Sequence, residues 1–274
     1  MQGDPQPFRR LLPAGPKRPI LVEIPHASTT LIPEVENLRA LTDHQIRRDA
    51  DLFVDALWDF APCAGATVVV ATQSRYVVDL NRAEDDADSL SVEGFSGDAR
   101  PRGVIWRVDT DGHPTLNAPL PRALFDQLIE STWRPYHHRI GNELGAIALE
   151  HGFAILVAAH SMPSVGRAAH TDPGTDRADV VLGDRHGLSC DPRVTEWAKN
   201  HFERAGLSIA LNDPYAGGFS TGRYGRPGDG IHALQIELSR ALYMDEATLT
   251  FHPRDARHIS RILEHLIESA PALD

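Results

Sequence analysis

Two histidines stand where strands are expected to end. Pro25-His26-Ala27-Ser28 follows the apolar run 19–24, and Ala159-His160-Ser161 closes the apolar run 153–159. Ligands of α/β sheets gather beyond the carboxyl ends of strands, so two imidazoles placed this way can meet at one ion although they are far apart in the chain. A catalytic zinc takes about three protein ligands, imidazole nitrogens or carboxylates, and leaves a position for water. The plainer reading of either histidine is a cap or a surface residue. A third ligand is sought in Arg48-Asp49-Ala50-Asp51-Leu52-Phe53-Val54-Asp55, where Asp51 and Asp55, four apart, share one face of an expected helix. Its rival is a solvated acidic face paired with Arg47 and Arg48.

A base and an anion clamp are also on offer. In IHALQIELSR the period of two puts Ile236 and Leu238 on one face and Gln235 and Glu237 on the other. A carboxylate inside an apolar strand is costly unless it is paired or bound. Beside a metal-bound water it is a general base tuned by burial; on an edge strand it is merely wet. Asn81-Arg82 closes the run 75–80, and an arginine there offers a planar fork for a substrate carboxylate, or else an ion pair to Asp85 or Asp86. If Arg82 is not the clamp, Arg223 and Arg240 are the next candidates. Asn212, Tyr215, Gly217 and Gly218 belong to a glycine-rich loop without the spacing of a phosphate-binding motif. Close backbone approach and a few polar groups suit a small-molecule pocket.

The elements that position these residues alternate. Runs 19–24, 67–72, 75–80, 153–159, 179–183, 207–211 and 231–238 read as strands. Residues 42–60 read as a helix with Thr42 as N-cap, 120–150 as a long helical stretch broken or kinked at Pro135, and 192–204 and 254–269 as two more helices. This pattern predicts an α/β fold with a largely parallel, mixed sheet, the gap between Thr72 and Arg75 suggesting one antiparallel hairpin. Residues 1–18, with four prolines, read as a partly ordered arm ahead of a single domain over 19–274. Stretches 82–118 and 160–178 read as long functional loops.

Composition narrows the partners. With 27 basic and 38 acidic residues the net charge is 27 − 38 = −11, which disfavours nucleic acid and anionic membranes. No apolar run long enough to span a membrane is present. Cys63 and Cys190 form no disulfide framework, so a reducing cytoplasm is expected. The fourteen histidines are scattered, which disfavours a metal buffer built on a histidine tract. Nothing here specifies an oligomeric state.

Taken in order, PHAS (25–28), DADLFVDALW (49–58), SRYVVDLNR (74–82), YHHRI (136–140), AHSM (159–162), VLGDRHGLSCDP (181–192), NDPYAGG (212–218) and HALQIELSRALYM (232–244) resemble the N-formylglutamate amidohydrolase family from about Pro19 onward. The resemblance implies a zinc-carboxypeptidase-like, three-layer α/β/α fold. It implies a metal-dependent amidase acting on N-acyl amino acids, typically N-formyl-L-glutamate in histidine breakdown. It also implies one zinc per chain on His26, His160 and Asp51, a carboxylate site at Asn81 and Arg82, and Glu237 as activator of the metal-bound water.

Three departures accompany the likeness. Ala158 stands where the family usually has aspartate, so either metal affinity is weaker or another acid compensates. Ser28 and Thr29 replace a frequent glycine and the ligand glutamate of related carboxypeptidases. The 83–118 loop matches poorly, and such loops shape specificity. The expectation is therefore hydrolysis of N-formyl-L-glutamate, with another N-acyl amino acid, a small cell-wall peptide, or a non-catalytic dicarboxylate- or metal-binding homologue as alternatives.

Overall fold

The computed structural model describes residues 6–97 and 101–273. Seven strands, β1 (Phe8–Leu11), β2 (Ile20–Ile24), β3 (Thr67–Ala71), β4 (Ala154–Met162), β5 (Val180–Gly183), β6 (Ile209–Leu211) and β7 (Ile231–Ser239), form one sheet in the order β1-β3-β2-β4-β7-β5-β6. The central four, β3, β2, β4 and β7, are parallel; β1 runs antiparallel to β3, and β5 antiparallel to β7. All four central strands are buried throughout, which is why β2, β3 and β4 are mostly apolar on both faces, while β7 carries Gln235 and Glu237 on one of its two buried faces.

The helices are α1 (Pro33–Glu36), α2 (Asp43–Asp49), α3 (Val54–Leu57), α4 (Arg122–Leu128), α5 (Arg134–His151), α6 (Pro192–Arg204), α7 (Phe219–Tyr224) and α8 (Pro253–Glu268). On one face of the sheet α3, α6 and α8 cover Val22, Val68, Val157 and Ile236. On the other, α4 and α5 cover Leu21, Val69, Leu156 and Ala233, giving the three layers. Helix α8 turns Ile259, Ile262, Leu263, Leu266 and Ile267 inward, spacings of three and four that make one apolar stripe. Each such side chain contributes roughly 1.5–3 kcal/mol by leaving water. Among the described residues no helix is long and apolar enough to cross a membrane.

Four expectations need correction. Residues 75–80 form turns, not a strand. Both edges of β3 are already taken, by β1 and β2, so the apolar Tyr76, Val77, Val78 and Leu80 are buried without sheet pairing. The antiparallel members of the sheet are therefore β1, from the segment read as an arm, and the β5–β6 pair. The helix expected over 42–60 is two helices. Thr42 does cap α2, through a reciprocal box with Gln45, but Ala50 is extended and Phe53 left-handed (φ 66°), a conformation that costs a bulky residue about 1–2 kcal/mol. Between α4 and α5 the chain passes through a π turn, Ile129–Trp133, rather than a simple kink. Pro135 then lies in the first turn of α5, where a missing N–H costs little.

Candidate active site

The break in the 42–60 helix serves the site. With Ala50 extended, the Asp51 N–H donates to the His26 carbonyl at 2.9 Å, which ties the end of α2 to the chain leaving β2. Asp51 thus sits in the gap between helices, and Asp55, the other candidate, is exposed on α3. His160 Nδ1 lies 3.0 Å from Asp51 Oδ2, and His26 Nδ1 lies 3.6 Å from the same oxygen. The two rings stand 5.0 Å apart, centroid to centroid. All three residues are buried, with one potential ligand atom of each within 4.8 Å of the others.

The donor set suits zinc: two imidazoles and a carboxylate, drawn from three separate segments. His26 Nε2 donates to Asp79 Oδ1 at 2.8 Å. A carboxylate can only accept there, so Nδ1 keeps its lone pair, as an orienting partner of a metal-binding histidine should arrange. Arg75 Nη2 donates to that lone pair at 2.8 Å, a positive charge placed where a metal's would act. Burial opposes ionisation of Asp51, but the hydrogen bond from His160 Nδ1 and the charge of Arg75 hold its carboxyl far below the usual range. Asp79 is likewise held low, because His26 and Arg75 outweigh its burial.

Glu237 lies in register with His160 across the β4–β7 ladder, so the two side chains share a face of the sheet. Strand β7 is interior, between β4 and β5, which removes the wet-edge reading of this carboxylate. It is 7% exposed and accepts a hydrogen bond from Gln235 Nε2 at 2.9 Å. Burial pushes its pKa up. One row below, Glu23 on β2 pairs in register with Ala158. The acid missing at 158 is thus matched by one on the neighbouring strand. Glu23 is fully buried, its Oε2 lies 3.5 Å from the Tyr136 hydroxyl, and its Oε1 has no partner among the described residues. Burial raises its pKa to about 7.

A cavity of roughly 760 Å³ opens over this cluster, within the size range of small-molecule sites. Asn81, Arg82, Tyr215, Gly217, Gly218 and Arg240 all line it, together with Asp51 and Glu237. Asn81 Nδ2 lies 3.3 Å from His160 Nε2, and its Oδ1 accepts from the Ser220 N–H at 3.0 Å. The chain needs glycine at 218 because an added Cβ would stand 2.2 Å from Asn81 Nδ2. Arg82 is anchored by carbonyls, those of Arg102 and Asn81, each at 2.8 Å. Arg240 spends its nitrogens on Asp51, Ser161 and the Arg48 carbonyl, so it braces the site rather than waiting for a ligand.

Two expected pocket residues lie elsewhere. Asn212 (φ 58°) ties β5 to β6, accepting from the N–H groups of Asp184 and His186 and donating to Asp184 Oδ1. Arg223 is exposed, over the rings of Trp133, Phe219 and Tyr224. Conversely Arg75, Asp79, Glu23 and Arg102 escaped the sequence reading. For Asp79 a signal existed, an acid inside an apolar run, the same feature that singled out Glu237.

A family model described as N-formylglutamate amidohydrolase matches residues 18–244. An N-formylglutamate deformylase of Pseudomonas aeruginosa is 34% identical over 260 residues, covering 92% of both chains, and one of Pseudomonas putida is 32% identical over 255 residues, covering 92% of this chain and 91% of its own. The crystal structure of an N-formylglutamate amidohydrolase from Ralstonia eutropha JMP134 superposes with a TM-score of 0.84 at 30% identity, over 96% of each chain. A gene product of Agrobacterium tumefaciens, 20% identical with a TM-score of 0.71 over 96% of this chain and 94% of its own, shares the fold. Fold and sequence agree along nearly the whole length, and this chain belongs to the N-formylglutamate amidohydrolase family.

Proposed function

We propose that this chain hydrolyses the formyl amide of N-formyl-L-glutamate, giving L-glutamate and formate, at a zinc ion held by His26, Asp51 and His160. The observation that carries the reading is the convergence of that triad with Glu237 in register beside His160, at the floor of a cavity rich in arginine. A metal in this donor set supplies Lewis acidity and lowers the proton affinity of a bound water. Glu237 takes the water's proton as its oxygen adds to the formyl carbon, then delivers it to the nitrogen as the C–N bond breaks. The Arg75 guanidinium, at the ligand atoms, stabilises negative charge growing on the acyl oxygen. Asn81 and Arg82 hold the α-carboxylate, with Gly218 packed against Asn81 and Tyr215 and Gly217 lining the same cavity.

We place the activity in a reducing cytoplasm, in keeping with two free cysteines, Cys63 and Cys190. The test is zinc-loaded protein against N-formyl, N-acetyl and N-succinyl amino acids, reading the amine released. N-formyl-L-glutamate should be cleaved fastest. Faster cleavage of an N-acetyl or N-succinyl compound would reassign the acyl group, and release from none of them would leave a binding protein without turnover.

A further inference from the structure

The cavity wall carries more positive charge than its acids neutralise. Arg75 is paired with Asp79 and Asp51, Arg167 with Asp49 at 2.8 Å, and Arg240 with Asp51 at 3.3 Å. Arg82 and Arg102 are held differently. Both donate to backbone carbonyls, Arg82 as described and Arg102 through Nη2 to the Ala169 carbonyl at 2.6 Å, and neither has a carboxylate in ion-pair contact among the described residues. The Arg102 guanidinium also stands 5.8 Å from the Trp106 ring, and its Nη1 is a shielded donor with no acceptor among the described residues. Burial, together with the charge of Arg82, lowers its pKa. Two like charges in one low-dielectric wall repel, and an anion is what relieves them.

Their positions separate two subsites. Arg82 follows Asn81, whose amide faces His160, so it lies on the side of the bond to be cut. Arg102 is tethered to Ala169, beyond the end of β4, on the loop walls that close the cavity. One carboxylate satisfies one cation, whereas two carboxylates a few methylenes apart satisfy both.

We infer that Arg102 is a specificity-determining residue that holds the side-chain carboxylate of a dicarboxylic N-acyl amino acid, while Arg82 holds the α-carboxylate. The inference rests on the amidase reading above and adds a residue to it. Its test compares N-formyl-L-glutamate with N-formyl-L-glutamine, which has the same shape but no side-chain charge. Wild type should favour the acid in kcat/KM, mainly through KM, by on the order of 10- to 100-fold, the worth of one charged hydrogen bond. Arg102→Gln should erase most of that preference while retaining turnover of N-formyl-L-glutamine, and Arg102→Lys should restore part of it. Arg82→Gln should instead weaken both substrates together.

If Arg102→Gln slows both substrates equally, Arg102 acts through the loop it braces and the inference fails. If no N-formyl amino acid is cleaved, the amidase reading fails, and calorimetric binding of glutarate against its monoamide still decides the point. Glutarate must then bind more tightly to wild type, with the advantage lost in Arg102→Gln; equal binding of the two ligands overturns the inference.

Discussion

At the residue scale, Glu237 shows how far a single side chain can be interpreted. Its place in an apolar strand demands compensation, and the structure supplies it through Gln235 and through its row-mate His160. Glu237→Gln keeps shape and most hydrogen bonding while removing the base. We expect metal content to be unchanged and kcat to fall by roughly two to four orders of magnitude, read by metal analysis alongside steady-state rates. Unchanged turnover would remove Glu237 from the mechanism. The two histidines were legible for a related reason, since each follows an apolar run; His26 lies just beyond β2, whereas β4 continues to Met162 and keeps His160 within the ladder. Arg75 was not legible: a basic residue before an aromatic carries no signal until the fold sets it at the His26 ring.

At the element scale, the site depends on how strands and helix starts are stacked. Gly218 precedes α7 and presses on Asn81. Gly218→Ala should therefore displace Asn81 and weaken substrate binding, raising KM at least severalfold by the worth of a hydrogen bond. Circular dichroism should remain that of wild type, and an unaltered KM would show that Asn81 has room the static contact conceals. Strand β2 supplies a second case. Folding raises the Glu23 pKa from an ordinary 4.5 to about 7 by burial, so the folded chain binds a proton that the unfolded chain has released between those values. Its stabilising contribution is complete below about 4.5 and is lost as pH rises towards 7, a swing of about 3 kcal/mol. Denaturant titrations of wild type and Glu23→Gln at both ends of that window should show the difference in stability changing in this sense; parallel curves would mean that Glu23 does not titrate there.

At the scale of the whole molecule, three remote segments meet at Asp51, His26 and His160, each carried by a different connection across the sheet. An ion bound there cross-links β2, the α2–α3 break and β4, so it should stabilise the fold as well as the reaction. Purified protein should carry about one zinc per chain, as a single three-ligand site requires. Removing it with a chelator should lower the melting temperature, by the equivalent of about 3 kcal/mol where the metal had stood near a hundredfold over its Kd. His26→Ala and His160→Ala should each lose the metal and the chelator sensitivity together. Full metal content in both variants would place the ion elsewhere.

Periodicity and local chemistry were enough to determine the α/β class with a largely parallel, mixed sheet, the runs that become β2, β3, β4 and β7, the Thr42 cap, α6 to the residue, and the face on which Glu237 stands, because these depend on spacing along the chain. Tertiary structure decided the rest. The run 75–80 has strand composition, yet β3 has no free edge to receive it; residues 42–60 have helical spacing, yet the chain breaks at Ala50, where Asp51 bonds to the His26 carbonyl and its carboxylate turns to His26 and His160. Glu23 stands beside position 158, where the acid is absent, only because β2 and β4 pair in that register, and Arg102 meets Arg82 only because the 82–118 stretch folds back on itself, the Arg82 guanidinium donating to the Arg102 carbonyl. Such facts are set by which surfaces remain available once the sheet has formed, and a one-dimensional pattern does not encode that order of occupancy.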